Sequence, residues 1–76
     1  MLKAYIKLHN LDDIKKLHET AKSCDYDLII ESGVCRINPK SIMGVLGIGI
    51  NKTVALVAKN NNKKEFLDKF GCFLSV

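Results

Sequence analysis

The chain has no apolar run approaching the roughly 18–20 residues needed to cross a bilayer, so no membrane association is expected. The opening Met1-Leu-Lys-Ala-Tyr5 lacks the long apolar core and small-residue cleavage site of a secretory signal, and a cytoplasmic location is expected. Cysteine pairs are missing too. Cys24, Cys35 and Cys72 are odd in number, widely spaced and without a Cys-x-x-Cys, which reads as reduced, buried small hydrophobes rather than a disulfide framework. The two histidines, His9 and His18, have no His-Glu or His-Cys grouping at ligand spacing, so neither metal nor cofactor is expected. Arginine is nearly absent: eleven of the twelve basic residues are lysines spread along the chain, and Arg36 stands alone. A nucleic-acid surface usually clusters Arg and Lys with aromatics between, so direct nucleic-acid binding is not expected.

What remains is a chain of 76 residues, 47% hydrophobic, with a net charge of +4 that favours acidic partners weakly. A chain this short buries only about 60–65% of its unfolded surface, enough for one small core, and residues 1–76 read as a single domain.

Leu2, Ala4, Ile6 and Leu8 alternate with Lys3, Tyr5 and Lys7, the period-two pattern of a half-buried strand. Asn10 then reads as a helix cap, with Asp12 and Asp13 near the positive end of the helix dipole. Leu11, Ile14, Leu17, Ala21 and Cys24 recur at helical spacing and predict one buried face over about four turns. Leu28–Glu31 and Val34–Ile37, joined through Ser32 and Gly33, predict a hairpin in which Gly33 takes the positive φ. Pro39 ends the second hairpin strand, and Ser41 is placed to cap a short helix over the glycine-studded Ile42–Ile50 run. Thr53–Ala58 predicts a fourth strand. Asn62, three before Glu65, predicts a capped last helix that buries Phe66 and Phe70 and ends at Gly71. The apolar tail Cys72 to Val76 either packs back on the body or lies in an interface, and the sequence leaves that choice open. The order β-α-β-β-α-β-α predicts an α+β two-layer sandwich with an antiparallel sheet and helices on one face.

At Lys40-Ser-Ile-Met-Gly-Val45, with Tyr26-Asp-Leu28 and Asn38-x-Lys-Ser41 upstream, the chain resembles the HPr phosphocarrier proteins of the bacterial sugar phosphotransferase system. The resemblance runs across nearly the whole chain. It implies an HPr-like open-faced sandwich of a four-stranded antiparallel sheet backed by three helices. It also implies two sites. Phosphate-carrying members use a histidine at the start of the first helix, followed by Arg and Pro; counted back from Ser41, that position falls on Asn10 and the arginine position on Asp12. A phosphoryl group there would meet carboxylates of its own sign. His9 is adjacent, but the strand–helix junction is shortened, so it is not that histidine displaced by one; a surface histidine flanking a cap is the plainer reading.

The second implied site is Ser41, which in Gram-positive members is phosphorylated by a dedicated HPr kinase and, so modified, binds a transcriptional regulator. On its own, a serine before a helix is an ordinary cap worth about 1 kcal/mol; only the retained neighbours single it out. The resemblance further places residues of this stretch on a partner-binding patch; Lys40, Ile42, Met43 and Leu46 are expected to face the partner, and Val45, Ile48 and Ile50 to turn inward. Three functions are therefore carried forward. The first is a non-catalytic HPr-like regulatory protein switched at Ser41. The second is an active phosphocarrier using His9. The third is an interaction domain that has lost both sites.

Overall fold

The alternating and helical patterns become seven elements in a computed structural model that describes residues 1–74; Ser75 and Val76, the end of the apolar tail, lie outside the described residues. Strand β1 is Leu2–Lys7, helix α1 Leu11–Lys22, β2 Leu28–Ser32, β3 Cys35–Ile37, helix α2 Ile42–Leu46, β4 Thr53–Ala58 and helix α3 Lys63–Phe70, followed by a 3-10 turn over Gly71–Phe73. The strands form one antiparallel sheet in the order β1-β4-β2-β3. This is the four-stranded sheet and three-helix α+β sandwich expected from the sequence.

Strand pleating sends alternate side chains to opposite faces. Ile6 of β1, Leu28 and Ile30 of β2, and Val54, Leu56 and Ala58 of β4 lie on the inner face. There they meet Ile14, Leu17 and Ala21 of α1, Val45 of α2, and Phe66 and Phe70 of α3 in one buried cluster. The rings of Phe66 and Phe70 sit 5.4 Å apart at 46°, a tilted aromatic pair. Phe73 extends this packing, and Leu74 bridges to Ile6 of β1. The described part of the tail, Cys72 to Leu74, therefore folds back onto the body.

Four details differ from the sequence reading. Leu11 is 64% exposed: it is the first residue of α1, and the buried stripe begins one turn later at Ile14. The helix also stops at Lys22, so buried Cys24 packs from the following turn. Val34 belongs to the hairpin loop, fully exposed beside Gly33; only Gly33 has positive φ, +61°, as a two-residue loop with glycine first requires. And only Cys24 is buried: Cys35 is on the edge strand and Cys72 on the final turn, both exposed.

The Tyr26 hydroxyl and Asn60 Oδ1 are buried without a hydrogen-bond partner. Burial first, then the adjacent Cys24 thiol, pushes the Tyr26 hydroxyl well above its ordinary value. In the unfolded chain this group ionises near the usual tyrosine value of about 10. The folded state retains the proton, so the contribution of Tyr26 to stability is complete below that pH and falls as pH rises beyond it. Tyr26→Phe is expected to lose less stability than the parent between about pH 9 and 11. Urea unfolding across that range tests this; identical alkaline slopes for the two proteins contradict it.

Candidate functional site

The turn Asn38–Ser41 is built by its own first residue. The Asn38 side-chain oxygen accepts the Lys40 N–H at 2.9 Å, and its carbonyl accepts the Ser41 N–H at 3.0 Å. This is the local side-chain-to-backbone bonding by which asparagine initiates turns. Two longer tethers then hold the turn against α1 and the turn that follows it. His18 Nδ1 lies 3.1 Å from the Pro39 carbonyl oxygen, and since a carbonyl only accepts, the ring donates from Nδ1. Lys40 Nζ donates to the Cys24 carbonyl at 3.1 Å. Pro39 itself is buried.

Ser41 follows with extended backbone, φ −103° and ψ 120°, and its carbonyl accepts the Val45 N–H at 3.0 Å to open α2. It holds the cap position, but its hydroxyl makes no capping bond and is exposed, which corrects the expectation of a serine side-chain cap. Helix α2 has only five residues and is pressed close to the end of β3. A Cβ on Gly44 would lie 2.9 Å from Ile37 Cγ2 and 3.2 Å from the Asn38 carbonyl oxygen, so glycine is what permits that approach. Val45 and Ile48 anchor the segment in the core, while Ile42, Met43 and Leu46 are 40%, 79% and 52% exposed. Ile50 was expected inward and is instead 46% exposed. Positive φ at Gly49 and Asn51, +84° and +61°, reverses the chain around it, and the Asn51 N–H closes the loop onto the Leu8 carbonyl.

At the start of α1, Asn10 Oδ1 accepts the Asp13 N–H at 2.9 Å, and Asp13 Oδ2 accepts the His9 N–H at 2.9 Å. This reciprocal arrangement is a variant of the capping box that satisfies two main-chain donors with the chain's own side chains. His9, Asn10 and Asp12 are exposed around it. An incoming phosphoryl group would meet an end already supplied with two carboxylates.

Sequence reasoning singled out Ser41 and its neighbours but missed the tethers from His18 and Cys24. The Asn38-Pro39 dipeptide carries a turn signal. Nothing in the sequence marks His18, twenty-one positions from Pro39, as its partner.

The helix-backed, open-faced sheet with this strand order is the fold of the HPr phosphocarriers. Among solved structures, the chain is similar to HPr-C-His from Thermoanaerobacter tengcongensis, with TM-score 0.77 and 22% identity over 95% of this chain and 89% of that one. It is also similar to the phosphocarrier protein HPr from Bacillus anthracis, with TM-score 0.75 and 16% identity over 97% of this chain and 96% of that one. At these identities the likeness is one of fold. No protein-family profile matches the chain, and no curated protein sequence does.

Because Gly44 touches both Ile37 and Asn38, Gly44→Ala is expected to cost about 1–3 kcal/mol as the helix is pushed off β3. Met43→Ala, at an exposed position, is expected to stay within about 0.5 kcal/mol of the parent. Urea denaturation distinguishes the two, and equal effects would contradict this packing of α2.

Proposed function

We propose that this is a non-catalytic, HPr-like regulatory protein related to the sugar phosphotransferase system, acting through a protein-binding surface on α2 and switched by phosphorylation of Ser41. The observation that carries the reading is the exposed, uncommitted Ser41 hydroxyl beside the exposed side chains of Ile42, Met43 and Leu46. The surface has a firm base, because Val45 and Ile48 are buried beneath it and the preceding turn is tied to α1 and the turn that follows it. Methionine suits a contact face that must adapt to a partner. By resemblance the partners are an HPr kinase-like kinase and a transcriptional regulator.

Phosphorylation adds about −1.5 to −2 charge and three strong acceptor oxygens. At an exposed hydroxyl with no internal bond, the fold need not rearrange to admit them. Lys40 is the adjacent cation, but its ammonium is already engaged with the Cys24 carbonyl. That bond uses one of its three N–H donors and leaves two for a phosphoserine.

The start of α1 argues against phosphate transfer through His9. The His9 and Asp13 amides are engaged by Asp13 and Asn10, Asp12 adds a further carboxylate, and like charges repel a phosphoryl group.

Incubation with HPr kinase and ATP is expected to give a single phosphate on Ser41, absent from Ser41→Ala, by mass spectrometry. Incubation with the first enzyme of the phosphotransferase system and phosphoenolpyruvate is expected to leave both histidines unmodified. Phosphate on His9 in the second assay would overturn the non-catalytic reading. An unmodified Ser41 in the first would leave an interaction domain without its switch.

A further inference from the structure

Cys24 is the buried one of the three cysteines, and polar groups from three parts of the chain meet at its sulfur. The thiol donates to the Thr20 carbonyl, one turn back on α1, at 3.4 Å. Lys69 of α3 brings its Nζ to 3.8 Å from the same sulfur. Tyr26, two residues on, adjoins the thiol with its hydroxyl, and that oxygen is buried without a hydrogen-bond partner. Asn60 Oδ1 beside the hydroxyl is unpartnered as well, so the two do not satisfy each other.

An ammonium beside a thiol favours the thiolate, which is the form that attacks an oxidant. Glu65 shares Lys69 at 3.6 Å, but that pair is half in solvent and weak, so it reduces the charge near the sulfur without removing it. The Tyr26 hydroxyl is a donor with nothing to donate to, because divalent sulfur accepts poorly. An oxygen bonded to that sulfur accepts well. The reduced site therefore leaves a buried donor unmet, and oxidation supplies its acceptor. Cys24 keeps 5% of its surface exposed and the Lys69 side chain 31%, so solvent reaches the sulfur along Lys69. Cys35 and Cys72 are more exposed, yet among the described residues no lysine nitrogen lies against their sulfur atoms.

We propose that Cys24 is a site of reversible oxidation by hydrogen peroxide, held as a sulfenic acid by Tyr26 and Lys69. The sulfur attacks one peroxide oxygen, the O–O bond breaks, and the other oxygen leaves as hydroxide and takes up the thiol proton. Thiol and peroxide become sulfenic acid and water; the sulfur gives up two electrons and the peroxide accepts them. The Tyr26 hydroxyl then donates to the new oxygen, and Lys69 supplies a positive charge beside it. A small thiol reverses the step, two molecules of it becoming a disulfide as Cys24 is reduced and water is released. The site lies between α1 and α3 and does not depend on the reading of Ser41.

The test exposes the full chain to hydrogen peroxide, removes the excess with catalase, and unfolds the protein in urea containing dimedone, which adds to sulfenic acids. Mass spectrometry of the digest then reads each cysteine. Cys24 is expected to carry at least about fivefold more dimedone than Cys35 or Cys72, and none after treatment with dithiothreitol before unfolding. Labelling that favours Cys35 and Cys72, as exposure alone dictates, overturns the proposal. Lys69→Gln is expected to lower Cys24 labelling about fivefold, whereas Lys69→Arg, which keeps the charge, and Lys64→Gln, which removes one elsewhere on α3, stay within about twofold of the parent. Labelling that rises in Lys69→Gln shows a lysine that only shields a buried thiol, and it also overturns the proposal. Tyr26→Phe is expected to lower the sulfenic yield about threefold, since the donor to the new oxygen is gone; an unchanged yield contradicts the role of Tyr26. Thermal melting checks that each variant remains folded.

Discussion

Burial of one face of β4 is the constraint on which the remaining structure depends. Val54, Leu56 and Ala58 point into the core, while the strand's main chain is hydrogen-bonded on both sides, to β1 and to β2. A central strand has no spare main-chain groups to offer solvent, so its inner face has to be covered by other elements. The three helices provide that cover, and Ile14, Leu17, Val45, Phe66 and Phe70 are the side chains through which they do it. The outer face has no such layer among the described residues and carries charge instead, with Lys3, Glu31 and Arg36 arranged over the strands.

The same constraint seats α2. A five-residue helix has little intrinsic stability, since nucleation is unfavourable and few hydrogen bonds follow it. Its position comes from three tertiary sources: Val45 in the core, Gly44 against Ile37, and a preceding turn tied by His18 to α1 and by Lys40 to the turn after it. The exposed Ile42, Met43 and Leu46 are thus held by contacts made on the opposite side of the same short segment. A partner reading these side chains meets a preformed surface, which lowers the ordering cost of association.

Much of this architecture was legible in the sequence, because strand alternation and helix spacing are direct consequences of which face is buried. The pattern Leu2, Ala4, Ile6 locates β1, and Thr53–Ala58 is the observed β4. Where the reading departed, a local geometry overrode the pattern. Leu11 fits the helical stripe but occupies the first turn, beyond the reach of the core. Ile50 fits an apolar run but follows Gly49, whose positive φ redirects the chain. Ser41 sits where a cap belongs, yet its hydroxyl does not bond the helix. The candidate site was legible as a stretch and not as an assembly. Its tethers join His18 to Pro39 and Lys40 to Cys24, and such pairings arise only after the chain has folded.

The meeting of β1 with β4 also governs the order in which the protein can be completed. Leu2 pairs with Ala58, Lys7 with Thr53, and Ile6 bridges Leu74, so β1 finds its strand neighbours only in the part of the chain from Thr53 onward. During synthesis, α1 and the β2–β3 hairpin can form from nearby residues, whereas β1 emerges with its apolar side chains unaccompanied. Until β4 has left the ribosome, β1 is an unpaired edge exposed to neighbouring polypeptides. Its alternating Lys3 and Lys7 give it a charged side during that interval, and this discourages association before β4 arrives.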